Sequence, residues 1–246
     1  MDKHKINELK PINKLLELQS FVFGLIDTDN HKEFSNKLCN LHQKNSKITG
    51  EIQDKVINSK LFLKLSNDGS YKKLAANRLK TSVEDIKIIS PFFRIDLPSK
   101  FESDHKKISL PWHQEAGYYL KNGNCTPKSI VLSTYLHTCK KSEGAIEISI
   151  DPSVELYNHS SKFLDNYKKK FLRVTCPAPK NYISVETNFG EVVIFDFLRP
   201  HRSGLNKSSL VRLTYLKRAT SILDLDKWNF KAKKLNFNDE NNKWVR

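Results

Sequence analysis

Apolar positions in the first third of the chain repeat with a helical period. Leu15, Leu18 and Val22 follow Pro11, a residue suited to a first helical turn. Phe34, Leu38 and Leu41 follow Asn30, an N-cap candidate with Glu33 three positions on. Ile52, Val56, Leu61, Phe62 and Leu65 form a third set that stops at the turn signal Asn67 to Ser70. Tyr71, Leu74, Arg78 and Leu79 then predict a short fourth helix. Residues 1–85 read as a helical cover for one face of the region beyond residue 85.

From Ile86 the period changes to alternation. Ile89, Phe93, Ile95 and Leu97 share one face of a predicted strand, while Phe92, Arg94 and Asp96 share the other, so one face is apolar and the other charged. A polar loop, Pro98 to Ser109, leads to LPWHQE (Leu110–Glu115), read as a strand. Further β-like runs span Ser129–His137, Ala145–Ile150, Phe171–Cys176, Tyr182–Thr187, Glu191–Leu198 and Leu210–Lys217. Together with Phe92–Leu97 and LPWHQE these make about eight short strands, the count of a two-sheet jelly roll. The stretch Asp151–Lys170 reads as a loop with at most a helical turn. The expected fold is mainly β with flanking helices: one domain over 1–246, with helices to 85, a jelly-roll core at 86–220 and a polar, basic tail at 221–246.

Composition agrees with one domain. The chain has 246 residues, 38% of them hydrophobic, enough for a full core. No run approaches roughly eighteen apolar residues, so no membrane span is expected. The N-terminus, MDKHKINELK, has no apolar stretch after its charges and does not read as a signal peptide. Cys39, Cys125, Cys139 and Cys176 lie far apart with no paired spacing, which predicts free, reduced thiols in a cytoplasmic protein. The net charge of +15 would concentrate anionic ligands around the protein: carboxylated or phosphorylated small molecules, nucleic acid or lipid head groups. The excess is scattered lysine, with no arginine-rich helix or basic aromatic stripe, which argues against a dedicated nucleic-acid surface.

Two H-x-E tripeptides occur. His31 and Glu33 lie in a helical pattern, where positions two apart point roughly 200° from each other, so they cannot chelate one metal. His113 and Glu115 lie in the predicted LPWHQE strand, where the same spacing puts both on one face. His201 emerges where the apolar strand Gly190–Leu198 ends at Arg199 and Pro200. Taken singly, each histidine also fits an ordinary, partly buried position. Taken together, two imidazoles and one carboxylate make the facial triad of non-haem Fe(II) oxygenases. Arg212, eleven residues past His201, sits in the apolar run LVRLTYL. A buried arginine there needs a partner, either an internal acid or the distal carboxylate of a 2-oxo acid.

The order H-x-E, Glu143–Gly144 opening a strand, GEVVIFDFLRPHRSGLN (Gly190–Asn206) and then Arg212 resembles the phytanoyl-CoA dioxygenase family of Fe(II)/2-oxoglutarate oxygenases. The resemblance covers about Pro91 to Arg218, and the helical first third matches no motif of that family. It implies a double-stranded β-helix (cupin-like), iron held by His113, Glu115 and His201, and the 5-carboxylate of 2-oxoglutarate held by Arg212 with the Ser203 hydroxyl. O2 would be the oxidant, with ascorbate as an assay additive. The commonest family carboxylate is aspartate, so Glu115 departs from the pattern. Halogenating relatives have a small residue there, and Glu115 therefore implies hydroxylation of a C–H bond with release of succinate and CO2.

Trp112, Tyr118 and Tyr119 are candidates to line the substrate cavity, and Arg94 and Asp96 are candidate substrate contacts. Their plainer readings are core aromatics and a strand-edge ion pair. The expected substrate is a small or conjugated metabolite, anionic ones included. Two other readings stay open. A nucleic-acid-directed oxygenase is motivated by the charge and by Arg212 and Arg218 six apart, a spacing also shown by nucleic-acid demethylases, although the interval from His201 to Arg212 fits the phytanoyl-type pattern better. A non-catalytic jelly-roll binding protein is the third, disfavoured because such a protein need not retain the triad and Arg212.

Overall fold

The helical period of the first third is realised as five helices, not four. In the computed structural model of the chain, residues 5–6, 12–101, 110–119, 128–152, 155–165, 170–227, 236–238 and 243–245 are described. The helices are α1 Ile12–Gly24, α2 His31–Lys44, α3 Ile48–Ile57, α4 Lys60–Ser66 and α5 Gly69–Leu79. The third apolar set divides because Ser59 takes an extended backbone and caps α4, its hydroxyl accepting the Phe62 N–H. Asn30 caps α2 as the sequence predicts, accepting the Glu33 N–H. At the Asn67–Ser70 turn, Asn67 closes α4 and Asp68 opens α5.

The described strands are β1 Lys5–Ile6, β2 Ile86–Asp96, β3 Ser129–Tyr135, β4 Glu147–Ser149, β5 Ser160–Asp165, β6 Lys170–Thr175, β7 Tyr182–Ser184, β8 Val192–Asp196, β9 His201–Arg202, β10 Arg212–Ser221, β11 Asn236–Asn238 and β12 Lys243–Val245. A five-stranded sheet has the order β1-β8-β3-β10-β2, and a three-stranded sheet the order β7-β4-β9. All of the strand pairs in both sheets are antiparallel. The architecture is therefore mixed helix and antiparallel sheet rather than mainly β.

Alternation along the larger sheet divides its residues between two cores. Phe93, Ile130, Leu132, Ile194, Leu213 and Tyr215 face the helices and join their apolar stripes in one cluster. Val131, Tyr135, Val193 and Phe195 face the other way and pack with Ile148 and Val185 of the smaller sheet's region. Each large side chain buried in this way contributes roughly 1.5–3 kcal/mol. One strand face differs from the sequence expectation. Leu216 pairs with Phe92 but Arg218 pairs with Ile89, so β2 carries an extra residue against β10. Pro91, which has no N–H for the ladder, sits in this bulge. The bulge turns Ile89 into the inner cluster and leaves Ile88 on the helical side.

LPWHQE is not a strand. His113 makes one antiparallel bridge to His201, and the chain then turns into a short helix, α6 Ala116–Tyr119. Gly117 and Tyr118 donate to the Gln114 and Glu115 carbonyls, which commits the segment to helical turns. The expected loop over 151–170 instead contains the first strand of the β5–β6 hairpin. Residues 102–109 of the polar loop, 228–235 of the tail and Cys125 lie outside the described residues. Cys39, Cys139 and Cys176 are free thiols, as expected. Among the described residues no helix is long and apolar enough to cross a membrane.

Candidate metal centre

The bridge between His113 and His201 builds the site. Each backbone N–H donates to the other's carbonyl at 3.0 Å. Residues directly opposite in an antiparallel pair present their side chains to the same side, and the two rings lie 4.1 Å apart between centroids. Each Nδ1 is 2.7–2.9 Å from a carbonyl two residues back, His113 on Pro111 and His201 on Arg199. A carbonyl can only accept, so both rings carry the proton on Nδ1 and offer the Nε2 lone pair.

The turn after His113 brings Glu115 to both rings. Its Oε1 lies 3.8 Å from each Nε2, too long for a hydrogen bond. His113, Glu115 and His201 are 1%, 4% and 5% exposed, and a ligand atom from each lies within 4.8 Å of the others. His113 Nε2 is fully buried and has no hydrogen-bond partner among the described residues. Burial, reinforced by His201, pushes His113 down to about 4 and keeps it neutral. Burial opposes ionisation of Glu115 too, yet Arg218 and the flanking groups hold it well below the usual carboxylate range. Two imidazole nitrogens and a carboxylate that converge on a buried point fit a divalent metal.

Arg218 reaches Glu115 from β10, with Nε 2.6 Å from Oε2 and Nη2 3.2 Å from Oε1. The sequence reading did not place it in the site. The one signal available was alternation, since Arg212, Thr214, Leu216 and Arg218 share a strand face. Between the two ligands of the H-x-E, Gln114 is fully buried. Its amide donates to the Glu155 and Leu198 carbonyls at 2.6 and 2.5 Å and accepts the Tyr157 N–H at 3.0 Å. It thereby ties the segment before β5 to the chain entering β9.

Arg212 lies on the same inner face as Arg218 and is bonded internally. Its Nε and Nη2 donate to Asp96 Oδ2 at 3.2 and 2.7 Å, Nη2 reaches Ser203 Oγ at 3.1 Å, and Nη1 donates to the Gly144 carbonyl. Of the two partners the sequence left open, the internal acid is present. Ser203 accepts from Arg212, which leaves its own hydroxyl proton available. The backbone at Gly144 (φ +80°) and Gly204 comes together so closely that a Cβ at Gly204 would collide with the Ala145 carbonyl oxygen. That approach presents the Gly144 carbonyl to Arg212.

The backbone on either side of Arg212 is held from outside its strand, by the helical layer at Val211 and by the segment after β3 at Leu213. Ser35 Oγ accepts the Val211 N–H at 2.9 Å, and His31 Nε2 donates to the Val211 carbonyl at 2.6 Å. His137 Nε2 accepts the Leu213 N–H at 3.1 Å. His31, set aside as a chelator because of its helical period, thus has a structural task.

The remaining sequence candidates divide. Tyr118 stands edge-on to His113 at 5.6 Å, and Tyr119 is buried against Phe197 with the Arg218 guanidinium 5.4 Å from its ring. Both border the centre. Trp112 instead packs on Tyr182 at 5.1 Å, with Arg202 4.9 Å from its ring, and Arg202 is ion-paired to Glu147. Asp96 is shared between Arg212 and Arg94 as an internal counter-ion, the plainer of its two readings.

No family model and no curated protein matches the chain. Among solved structures it is similar to EvdO2 from Micromonospora carbonacea var. aurantiaca, at 17% identity and a TM-score of 0.47 over 68% of this chain and 62% of that one. The same figures hold for EvdO2 complexed with 2-oxoglutarate. It is also similar to the epimerase SnoN in complex with Fe3+, alpha ketoglutarate and nogalamycin RO, at 12% identity and a TM-score of 0.46 over 66% and 59% of the two chains. The non-heme monooxygenase ThoJ, as its nickel complex, is similar at 12% identity and a TM-score of 0.45 over 78% and 69%. The matched region spans less than two thirds of EvdO2 and of SnoN.

Proposed function

We propose that this chain is an Fe(II)- and 2-oxoglutarate-dependent dioxygenase that hydroxylates a C–H bond of a small or conjugated metabolite. The observation that carries the reading is the buried convergence of His113 Nε2, Glu115 and His201 Nε2, with His113 Nε2 lacking a hydrogen-bond partner among the described residues. Two imidazoles and one carboxylate, with the other positions open, form the donor set of a facial Fe(II) site. When bound, the metal supplies O2 activation coupled to conversion of 2-oxoglutarate to succinate and CO2 as the substrate is hydroxylated.

The protein's own residues do the placing. The Nδ1–H bonds of both histidines fix their tautomers, and Arg218 keeps Glu115 ionised and aimed. Arg212 and the Ser203 hydroxyl anchor the 5-carboxylate of 2-oxoglutarate, while Asp96 holds the guanidinium in position. Tyr118 and Tyr119 narrow the approach and exclude water. The fold in this reading is a single-domain double-stranded β-helix of the phytanoyl-CoA dioxygenase type with a helical cover.

The test is uncoupled turnover. With Fe(II), ascorbate, O2 and 2-oxoglutarate, the wild type releases succinate slowly and Glu115→Ala does not. Absence of turnover together with failure to retain metal overturns the reading. A nucleic-acid-directed oxygenase is the second reading, favoured by one observation: Arg212 and Arg218, six apart, both face the site. It requires tight, steeply salt-dependent binding to DNA or RNA, and weak binding at physiological salt counts against it.

A further inference from the structure

On the inner face of the larger sheet, charge does not balance among the described residues. Arg218 and Glu115 neutralise each other. Asp96 serves two cations: Arg212 takes Oδ2 with two N–H groups, while Arg94 takes Oδ1 with Nη2 at 2.6 Å. One carboxylate against two guanidiniums leaves one positive charge in that cluster.

Arg94 is the less committed of the two arginines. It gives one N–H to Asp96, whereas Arg212 bonds Asp96, Ser203 and Gly144. Its side chain is 17% exposed against 5% for Arg212. In register it lies opposite Thr214, between the Asp96↔Arg212 pair and the Ile89↔Arg218 pair beside Glu115. It therefore projects from the middle of the wall joining the anion anchor to the metal centre. Its charge is also felt at Tyr118, the ring that stands against His113.

Building on the function proposed above, we infer that Arg94 binds the substrate, and that the substrate carries one compact oxyanion, a carboxylate or phosphate monoester. A divalent metal and the doubly charged 2-oxoglutarate cancel, so loading the site leaves the Arg94 charge uncompensated. A partly buried cation without a counter-charge is costly, and its fork suits an oxyanion at two points. An anionic substrate closes that imbalance, and a neutral one of the same shape does not.

The experiment uses the intact chain loaded anaerobically with Fe(II) and 2-oxoglutarate, read by the visible metal-to-ligand charge-transfer band. Hexanoate, phenylacetate and phenyl phosphate are titrated against hexanamide, phenylacetamide and phenol. At least one anion is expected to perturb the band with affinity about tenfold or more above its neutral counterpart, the scale of a charged hydrogen bond. Arg94→Gln abolishes that preference without weakening 2-oxoglutarate, and Arg94→Lys keeps part of it. The carboxylates against phenyl phosphate separate the two oxyanion types. A band that no anion perturbs, equal binding of neutral counterparts, or loss of 2-oxoglutarate affinity in Arg94→Gln overturns the inference alone. Absence of any band in the wild type overturns it together with the function it rests on.

Discussion

Arg218 and Glu115, 103 residues apart in the chain, meet in a buried two-point ion pair on the carboxylate that faces both histidines. The arginine fork uses both carboxylate oxygens, so it sets the angle at which Glu115 meets a metal. Arg218→Ala would leave a buried carboxylate unpaired, at a cost of about 3–5 kcal/mol. Arg218→Lys keeps the charge but loses the fork. The lysine variant is expected to fold and to bind metal roughly 10–100-fold more weakly, as for other groups that orient a ligand. Calorimetric titration with Fe(II) under anaerobic conditions measures this, and wild-type affinity in the variant contradicts the orienting role.

His201→Ala separates metal binding from folding. The substitution removes one donor and the hydrogen bond to the Arg199 carbonyl, a stability loss of about 1 kcal/mol. Stoichiometric metal retention is expected to vanish while circular dichroism and a cooperative unfolding transition persist. A variant that fails to fold at all points to a packing role for the histidine instead.

Ser203→Ala probes the anion anchor more cleanly than Arg212→Ala, which would strip Asp96 of one of its counter-ions. Loss of the hydroxyl is expected to weaken 2-oxoglutarate by about tenfold or more, the scale of one hydrogen bond to a charged group, and to leave Fe(II) affinity unchanged. Unchanged 2-oxoglutarate affinity would move the anchor elsewhere.

The His31–His137 stack predicts acid sensitivity. The rings lie 4.3 Å apart, and His137 uses Nε2 to accept from Leu213 and Nδ1–H to donate to Thr138, which commits it to the neutral form. Burial first, then His31 and Arg212, push His137 down to about 3, while burial lowers His31 against the pull of Glu143. Unfolded histidines bind protons below about pH 6.5, whereas His137 stays neutral until about 3 and His31 is shifted in the same direction, so the unfolded state gains protons first and stability falls as pH drops below about 6.5. One such group gives a limiting slope of about 1.4 kcal/mol per pH unit. Urea denaturation at a series of pH values reads this slope, and His137→Gln should flatten it. A wild-type stability that does not change with acid contradicts the assignment.

How much of this was legible in the sequence depends on the range of the interactions involved. Caps at Asn30 and the turn at Asn67–Ser70 are local, and their residue types point to them directly. The alternation in β2 was legible only from Phe92 onward, because the bulge at Pro91 depends on a register with β10 that local pattern does not carry. LPWHQE led to residues that the structure brings together with His201, but by the wrong geometry. The H-x-E spacing was read as one strand face, but His113 is placed by its bridge to His201 and Glu115 by a turn. Arg212 was legible as a buried cation in need of a partner, while its pairing with Asp96 depends on the β2–β10 register. Arg218 was named in the sequence only for its spacing from Arg212, since nothing near it announces Glu115. The tasks of His31 and Ser35 were illegible for the same reason, because their partner Val211 lies far along the chain, just before β10.

At the centre of the proposed function, His113, Glu115 and His201 hold Fe(II) while Arg212 and Ser203 anchor 2-oxoglutarate. The decisive experiment is anaerobic addition of Fe(II) and then 2-oxoglutarate, followed by visible absorption. A charge-transfer band is expected that saturates at one 2-oxoglutarate per chain, is absent in His201→Ala and needs more 2-oxoglutarate in Ser203→Ala. No band in the wild type, or an undiminished band in His201→Ala, would contradict it.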